Sequence, residues 1–393
     1  MTWRAKASLT PDEAIALHRR SLVIDSKFPG ALSVPSPRVE ALFAAELDRL
    51  GKGTYRQAIY ATVKALAVQE LWSRADVREA YLDVWKRSGL TAGLTATAAV
   101  QPDGEVAFPD AIRTMAAEVY APVLTSGGRI RVAVSAHDLE EAQRTGGHAL
   151  IIGWENSTPI GADLGRLDLF HNFGVRSVQL TYNLRNLVGD GCMEPAGSGL
   201  SRFGTALIER LNEKRMIVDV SHASEALVLD TAKASTSPIS MNHTGAKAVY
   251  RYDRNASDEA LKAVASTGGY IGVYVVAAFL QPNDTGTLDQ WAEHVEHIAR
   301  LVGVDKIGIG CDSGDLYQVP PSRATFETHY PATYPWHAFT ARHRTQFTEF
   351  DHYRTMLDWP NLTAHLASRG FNEDEIRGII GGNYLRFFRQ VVG

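Results

Sequence analysis

The chain has 393 residues, of which 45% are hydrophobic and 21% charged, the composition of a folded globular protein with enough apolar side chains for a large core. A formal net charge of -4 gives no basic field for nucleic acid, and no Lys/Arg-rich run offers itself to a membrane surface. Two cysteines, Cys192 and Cys311, are too few for a disulfide framework or a cysteine-rich metal site.

The beginning of the chain mixes Arg4, Lys6, Asp12 and Glu13 with no continuous apolar stretch, so a signal peptide is not expected. No run is long enough to span a bilayer, and the amphipathic close at 384–392 does not resemble an anchor tail. A cytoplasmic protein is the expectation.

A first short apolar run, 22–25, predicts a strand, and 55–90 predicts an amphipathic helical insertion behind it. Further strands are predicted at 93–98, 130–135, 149–154, 177–181, 217–220, 239–241, 270–275 and 307–310. Between them, 163–173, 202–215, 224–234, 258–266 and 288–302 repeat apolar residues at three-to-four spacing, as helices packed on a sheet do. This βαβ rhythm predicts one α/β domain over 1–393, a (β/α)8 barrel, with nine strand candidates for eight places and one of them peripheral. The proline- and aromatic-rich stretch 318–352 reads as a long loop over the site, and 359–393 as closing helices.

In a parallel barrel the C-terminal strand ends surround the active site, so the polar residues that stop the strands are the ones to read. The first strand is followed by Asp25, Ser26 and Lys27, and the run 149–154 by Glu155. Ser221 and His222 follow 217–220, Asn242 and His243 follow 239–241, and the last strand ends at Cys311 and Asp312. One carboxylate and two imidazoles from three strands make a zinc ligand set with an open position for water, which suits amide hydrolysis. Asp312, on a different strand, could take and return the proton that a leaving amine needs. The plainer alternatives are two structural histidines, an Asp312 that only caps a helix, an Arg254 engaged in a surface ion pair, and a Cys311 that fills the core.

The runs Gly-Val-Arg-Ser-Val-Gln-Leu-Thr at 174–181 and Met-Ile-Val-Asp-Val-Ser-His at 216–222 resemble the membrane dipeptidase family (peptidase M19) in order and spacing. So do Arg254-Asn255 with Asp258, Gly-Ile-Gly-Cys-Asp at 308–312, and Arg369-Gly370 followed by Gly-Asn-Tyr-Leu-Arg at 382–386. The resemblance implies an amidohydrolase-type barrel with two bridged zinc ions that cleaves dipeptides and sometimes related amides. It implies that Glu155 is the bridging carboxylate, that His222 and His243 complete the second metal site, that Arg254 holds the substrate carboxylate, and that Asp312 transfers protons. It also implies a small-molecule partner and, by analogy, a homodimer.

The sequence departs from the family at the first metal. Where the family's first strand ends in His-x-Asp, Lys27 and Pro29 stand here, and neither can replace those ligands. Asn156 lies where a substrate-binding histidine would follow the bridging glutamate, and Tyr182 stands where many relatives have a histidine. The expectation is therefore one zinc ion per chain, or none, on Glu155, His222 and His243, with the Lys27 ammonium in place of the first metal's charge. Arg254, Tyr182, Asn156 and the loop near Trp336 and His337 would shape the pocket for a dipeptide-like or N-acyl amino-acid substrate. The plain alternative for Lys27 is a solvent-facing side chain on a degenerate loop. Two other functions stay open: a lyase, isomerase or tailoring reaction with Lys27 as base or Schiff-base nucleophile, and a non-catalytic ligand-binding protein on the same scaffold.

Overall fold

A computed structural model of the protein describes residues 9–28, 34–50, 56–97, 108–195, 197–282, 285–312, 349–353 and 355–393. Pro29, Trp336, His337 and most of the predicted loop 318–352 lie outside the described residues.

Nine strands form the main sheet: β1 (Ile24–Phe28), β2 (Ala92–Ala96), β3 (Ile130–Val132), β4 (His148–Trp154), β5 (Val175–Gln179), β6 (Ile217–Asp219), β7 (Ser240–Thr244), β8 (Tyr270–Val273) and β9 (Ile307–Ile309). Eight of them follow the order β1-β2-β4-β5-β6-β7-β8-β9, and β3 pairs only with β4, outside that path. Every pairing is parallel. The peripheral strand is thus β3, displaced because β2 pairs with β4 along five residues, from Ala92 with Ala149 to Ala96 with Gly153.

The barrel is nearly closed. Between β1 and β9 the contact is made by Asp312 N donating to Lys27 O (3.0 Å) and by Cys311 N donating to the Asp25 carboxylate (2.8 Å). Ser26 Oγ stands at the same seam, 2.8 Å from Asn242 O and 3.0 Å from Ile309 O. Gly272 and Gly310 admit this contact, since a Cβ on either would lie 2.0 Å from Asn242 O.

β4 is buried on both faces, with Ala149 through Ile152 fully covered, as a strand between a barrel interior and an outer helical layer must be. The outer helices Arg202–Glu213, Glu225–Ala234, Asp258–Ser266 and Leu288–Val302 fall within two residues of the expected spans. Ser201, Ser224 and Ser257 cap the first three by accepting the amides of Gly204, Leu227 and Ala260, each cap stabilising by about 1 kcal/mol.

β1 runs to Phe28, past the stop expected after Asp25. The reason lies in the helices Pro37–Leu50, Arg56–Ser73 and Ala75–Ser88 that follow it. Trp85 of the last stacks on Phe28 with centroids 4.8 Å apart, so the strand end is roofed over rather than released to solvent. Similarly β7 includes Asn242 and His243, whose backbone amides donate to Asp219 Oδ2 and Ser221 Oγ inside the barrel.

Two buried histidines tie outer elements together. His18 Nε2 donates to Ser88 O (2.8 Å) and its Nδ1 accepts from Thr363 Oγ1 (2.8 Å). His294 Nδ1 accepts from Ala246 N (2.9 Å) while its Nε2 donates to Leu280 O (2.9 Å). Burial lowers both to about 4. A folded pKa depressed below the unfolded value of 6.5 means that the unfolded chain binds more protons between pH 6.5 and 4. Stability is therefore expected to fall as pH drops through that window, by on the order of 2 kcal/mol for each histidine at pH 5. Urea unfolding of metal-free protein at pH 7.5 and pH 5 measures it, and equal midpoints would contradict the neutral assignment.

Candidate active site

The polar residues singled out at the strand ends converge. Glu155 follows β4, His222 lies just beyond β6, His243 is in β7, Lys27 is in β1 and Asp312 follows β9. The ligating atoms of Glu155, His222 and His243 lie within 4.8 Å of one another. His222 Nε2 is 2.8 Å from His243 Nε2, and Glu155 Oε1 is 3.5 Å and 3.9 Å from the two.

The hydrogen bonds behind the rings decide what those Nε2 atoms are. Ser221 Oγ accepts from His243 N (3.2 Å) and donates to Asn242 Oδ1 (3.1 Å), which fixes the Asn242 amide oxygen in place. That oxygen meets His243 Nδ1, so Nδ1 carries the proton. Asn183 Oδ1 likewise faces His222 Nδ1 at 2.7 Å and receives the Cys192 thiol at 3.5 Å. With both Nδ1 atoms donating, each Nε2 is a lone pair. Two lone pairs 2.8 Å apart beside a carboxylate repel unless a cation stands among them.

Burial, reinforced by the neighbouring Arg254 cation, lowers His222 to about 3, and burial with Lys27 and Arg254 takes His243 well below its ordinary value. The imidazoles are therefore neutral at physiological pH, the form that binds metals. A tetrahedral zinc ion with bonds of about 2.1 Å would hold its donors about 3.4 Å apart, close to the spacing seen here. The chemistry of the three donors fits one such ion.

The position of a second metal is different. Lys27 is buried, its Nζ 2.5 Å from Glu155 Oε1 and 3.8 Å from Asp312 Oδ1, so it does not point into solvent. Burial alone would raise the Glu155 carboxyl, but the Lys27 ammonium outweighs it and brings the group to about 2. The Lys27 ammonium thus stands against the carboxylate that bridges two metals in the family, and a protonated lysine is no metal ligand.

Asp25 anchors this corner from beneath, its Oδ1 accepting from Lys27 N (3.0 Å) and Cys311 N (2.8 Å). Burial raises Asp25 to about 7. Cys311 is fully covered and accepts from the Tyr353 hydroxyl (2.9 Å), a core contact rather than an exposed thiol. Asp219 Oδ2 accepts from Ser240 Oγ (2.6 Å) and Asn242 N (2.8 Å), holding β6 and β7 in register beside the ligands.

Arg254 is 5% exposed, which removes the surface ion-pair alternative. Among the described residues no carboxylate pairs with it, its Nε has no partner, and Nη2 lies only at 3.5 Å from His243 O. Its guanidinium sits over the Tyr274 ring at 5.8 Å. A cavity of about 160 Å³ opens beside Arg254 and His222, with Cys192, Lys247 and Thr244 on its walls. Tyr182 stacks on His222, with centroids 4.4 Å apart and 25° between planes. Asn156 is buried, with its Oδ1 accepting from Asn186 Nδ2 (3.0 Å) and Thr158 N (3.2 Å), so that oxygen is engaged in the loop itself.

His222 and Asp312 have left-handed backbones, at φ 62° and 52°. Strain of this kind in non-glycine residues costs on the order of 1 kcal/mol or more and persists where the surroundings force it. Sequence reasoning passed over Asn183. The signal was available, because Asn183 comes two residues after Thr181, at the open end of β5.

The model of the membrane dipeptidase family (peptidase family M19) matches residues 87–322, more than half of the chain. Dipeptidase 3 of Homo sapiens is 27% identical over 272 residues, covering 68% of this chain and 49% of that protein. Dipeptidase 3 of Rattus norvegicus is 27% identical over 268 residues, covering 67% and 48%. The chain spans about half the length of the curated relatives it matches. Among solved structures, an amidohydrolase from Pseudomonas aeruginosa superposes with a TM-score of 0.73 at 26% identity, covering 98% of this chain and 100% of that one. A metallo peptidase from Rhodobacter sphaeroides, solved with a phosphinate mimic of the dipeptide L-Ala-D-Ala, shares the fold at TM-score 0.70 and 19% identity, over 94% and 99% of the two chains. From the match along β2 to β9 and the strand-end residues it contains, the chain belongs to the membrane dipeptidase family, peptidase family M19.

Proposed function

We propose that the protein is a hydrolase of dipeptide-like or N-acyl amino-acid amide bonds that works with one divalent metal ion, most simply zinc, held by Glu155, His222 and His243. The observation that carries the reading is the convergence of Glu155 Oε1 and the Nε2 atoms of His222 and His243 within 4.8 Å of one another, while both Nδ1 atoms face amide oxygens. A metal held there supplies Lewis-acid polarisation of the amide carbonyl and activation of a water. Arg254 binds the substrate carboxylate through its planar guanidinium and so sets the distance of the amide from the ligands. Asp312 accepts the proton of the attacking water and passes it to the leaving nitrogen, so the C–N bond breaks to give a carboxylate and an amine. Lys27 stands in for the first metal of the family, neutralising Glu155 without offering a ligand. An ammonium committed to Glu155 lacks the lone pair that a Schiff-base nucleophile needs, which disfavours the lyase and isomerase alternatives.

Elemental analysis of protein purified without chelator or added metal tests the reading, with Glu155→Gln/His222→Ala/His243→Ala as control. About one zinc per chain, absent from the triple variant, together with turnover in a screen of dipeptides and N-acyl amino acids, is expected. No bound metal after zinc is supplied would overturn it, and about two ions per chain would overturn the role given to Lys27.

A further inference from the structure

The two histidines are aimed by different means. His243 is oriented from within its own strand by its neighbour Asn242. His222 stands on a left-handed residue just past the end of β6, and what orients it comes from a segment 39 residues earlier in the chain. That segment, the turn after β5, touches His222 at three points. Asn183 Oδ1 faces Nδ1 at 2.7 Å, Tyr182 covers a ring face at 4.4 Å, and Cys192 N donates to the His222 carbonyl at 2.7 Å.

The turn is itself braced. Met193 N donates to Asn183 O (3.0 Å), Gly191 bridges Ala223, and a Cβ on Gly191 would lie 2.3 Å from the Asn183 carbonyl, so only glycine allows the turn to close this tightly. The Cys192 thiol also donates to Asn183 Oδ1 (3.5 Å), so that one oxygen accepts from both the thiol and the imidazole. An imidazole has two tautomers of similar energy in water, and a fixed acceptor at Nδ1 selects the one whose Nε2 is a lone pair.

We propose that Asn183 is a positioning residue that locks His222 in its Nδ1–H tautomer and points Nε2 at Glu155 and His243, so that the turn after β5 governs how tightly the site holds a metal. The tautomer stands on the hydrogen bonds alone, while the consequence for metal affinity rests on the metal-dependent reading above.

The test uses the full chain with Asn183→Ala and Asn183→Asp. Long-range 15N–1H correlation spectra of metal-free protein, with the His222 resonances assigned by loss in His222→Gln, report the tautomer directly. Wild type and Asn183→Asp are expected to show Nδ1–H, because a carboxylate accepts the same bond, whereas Asn183→Ala is expected to show a mixture. Competition for zinc against a chromophoric chelator is expected to give a 10- to 100-fold weaker site in Asn183→Ala, with Asn183→Asp at or above the wild-type affinity. An Nε2–H tautomer in wild type, or an unchanged tautomer in Asn183→Ala, would overturn the proposal. So would equal loss of affinity in both variants, the mark of a merely structural role. Absence of zinc binding by wild type would overturn the metal reading and leave the tautomer result to decide this one.

Discussion

Exchange of Arg254 for methionine is expected to lower kcat/KM for a carboxylate-bearing dipeptide by roughly 10²- to 10³-fold while leaving the melting temperature unchanged or higher. The two directions have one cause. A guanidinium that is 5% exposed, with an unpartnered Nε and no carboxylate paired to it among the described residues, has been taken out of water without full compensation. Burial of that kind costs stability, and a flexible thioether of similar length removes the cost. The missing partner is what a substrate carboxylate supplies, and a buried charge pair broken on one side typically loses about 2–5 kcal/mol of binding. The loss should fall mainly on KM, since Arg254 grips a part of the substrate that does not react. A substrate whose carboxylate is replaced by a carboxamide should be poor for wild type and nearly indifferent to the exchange. Equal losses on both substrates, or a clear fall in melting temperature, would show that Arg254 serves the fold instead.

Replacing Lys27 with methionine is expected to destabilise the metal-free protein by about 3 kcal/mol, because the Glu155 carboxylate, only 16% exposed, is left without its counter-ion. In the wild-type protein the folded pKa of Glu155 is depressed to about 2 from an ordinary 4.5, so the pair's contribution is present above about pH 4.5 and is lost as pH falls toward 2. That acid-dependent component should disappear in the variant. Adding zinc should restore part of the lost stability, since a cation among Glu155, His222 and His243 compensates the same carboxylate. Urea unfolding at pH 7.5 with and without chelator gives both quantities. If the variant is as stable as wild type without metal, the ion pair at 2.5 Å contributes nothing and Lys27 has another role.

The barrel was legible in the apolar runs and their spacing, and Glu155, His222, His243 and Asp312 stand together in the structure as their places at strand ends led one to expect. It could not say which of nine strands was peripheral, because β3 and β2 both carry strand-like patterns and only the choice of partner for β4 separates them. Strand ends were placed too early in β1 and β7, since polarity reads as an end unless the covering residues, such as Trp85 over Phe28, are known. On local sequence alone Arg254 read more readily as a surface ion pair, and only the fold around it shows a buried ion. Asn183 was missed for a related reason. Its place just past β5 was visible, but its importance comes from a histidine 39 residues further along the chain.

The barrel's eight-strand path ends at β1 and β9, and there a carboxylate side chain, Asp25, does part of the joining that a ladder does elsewhere. Lys27 and Asp312 stand on the two sides of this join, while Glu155, His222 and His243 lie on or just beyond strands laddered to both neighbours. A replacement on a ladder-bound strand must respect the register of two partners, whereas one at the join must satisfy mainly its own contacts. The join is thus a place where the charge lining the pocket can change without disturbing the register of two ladders. New chemistry on this scaffold has a natural point of entry at Lys27.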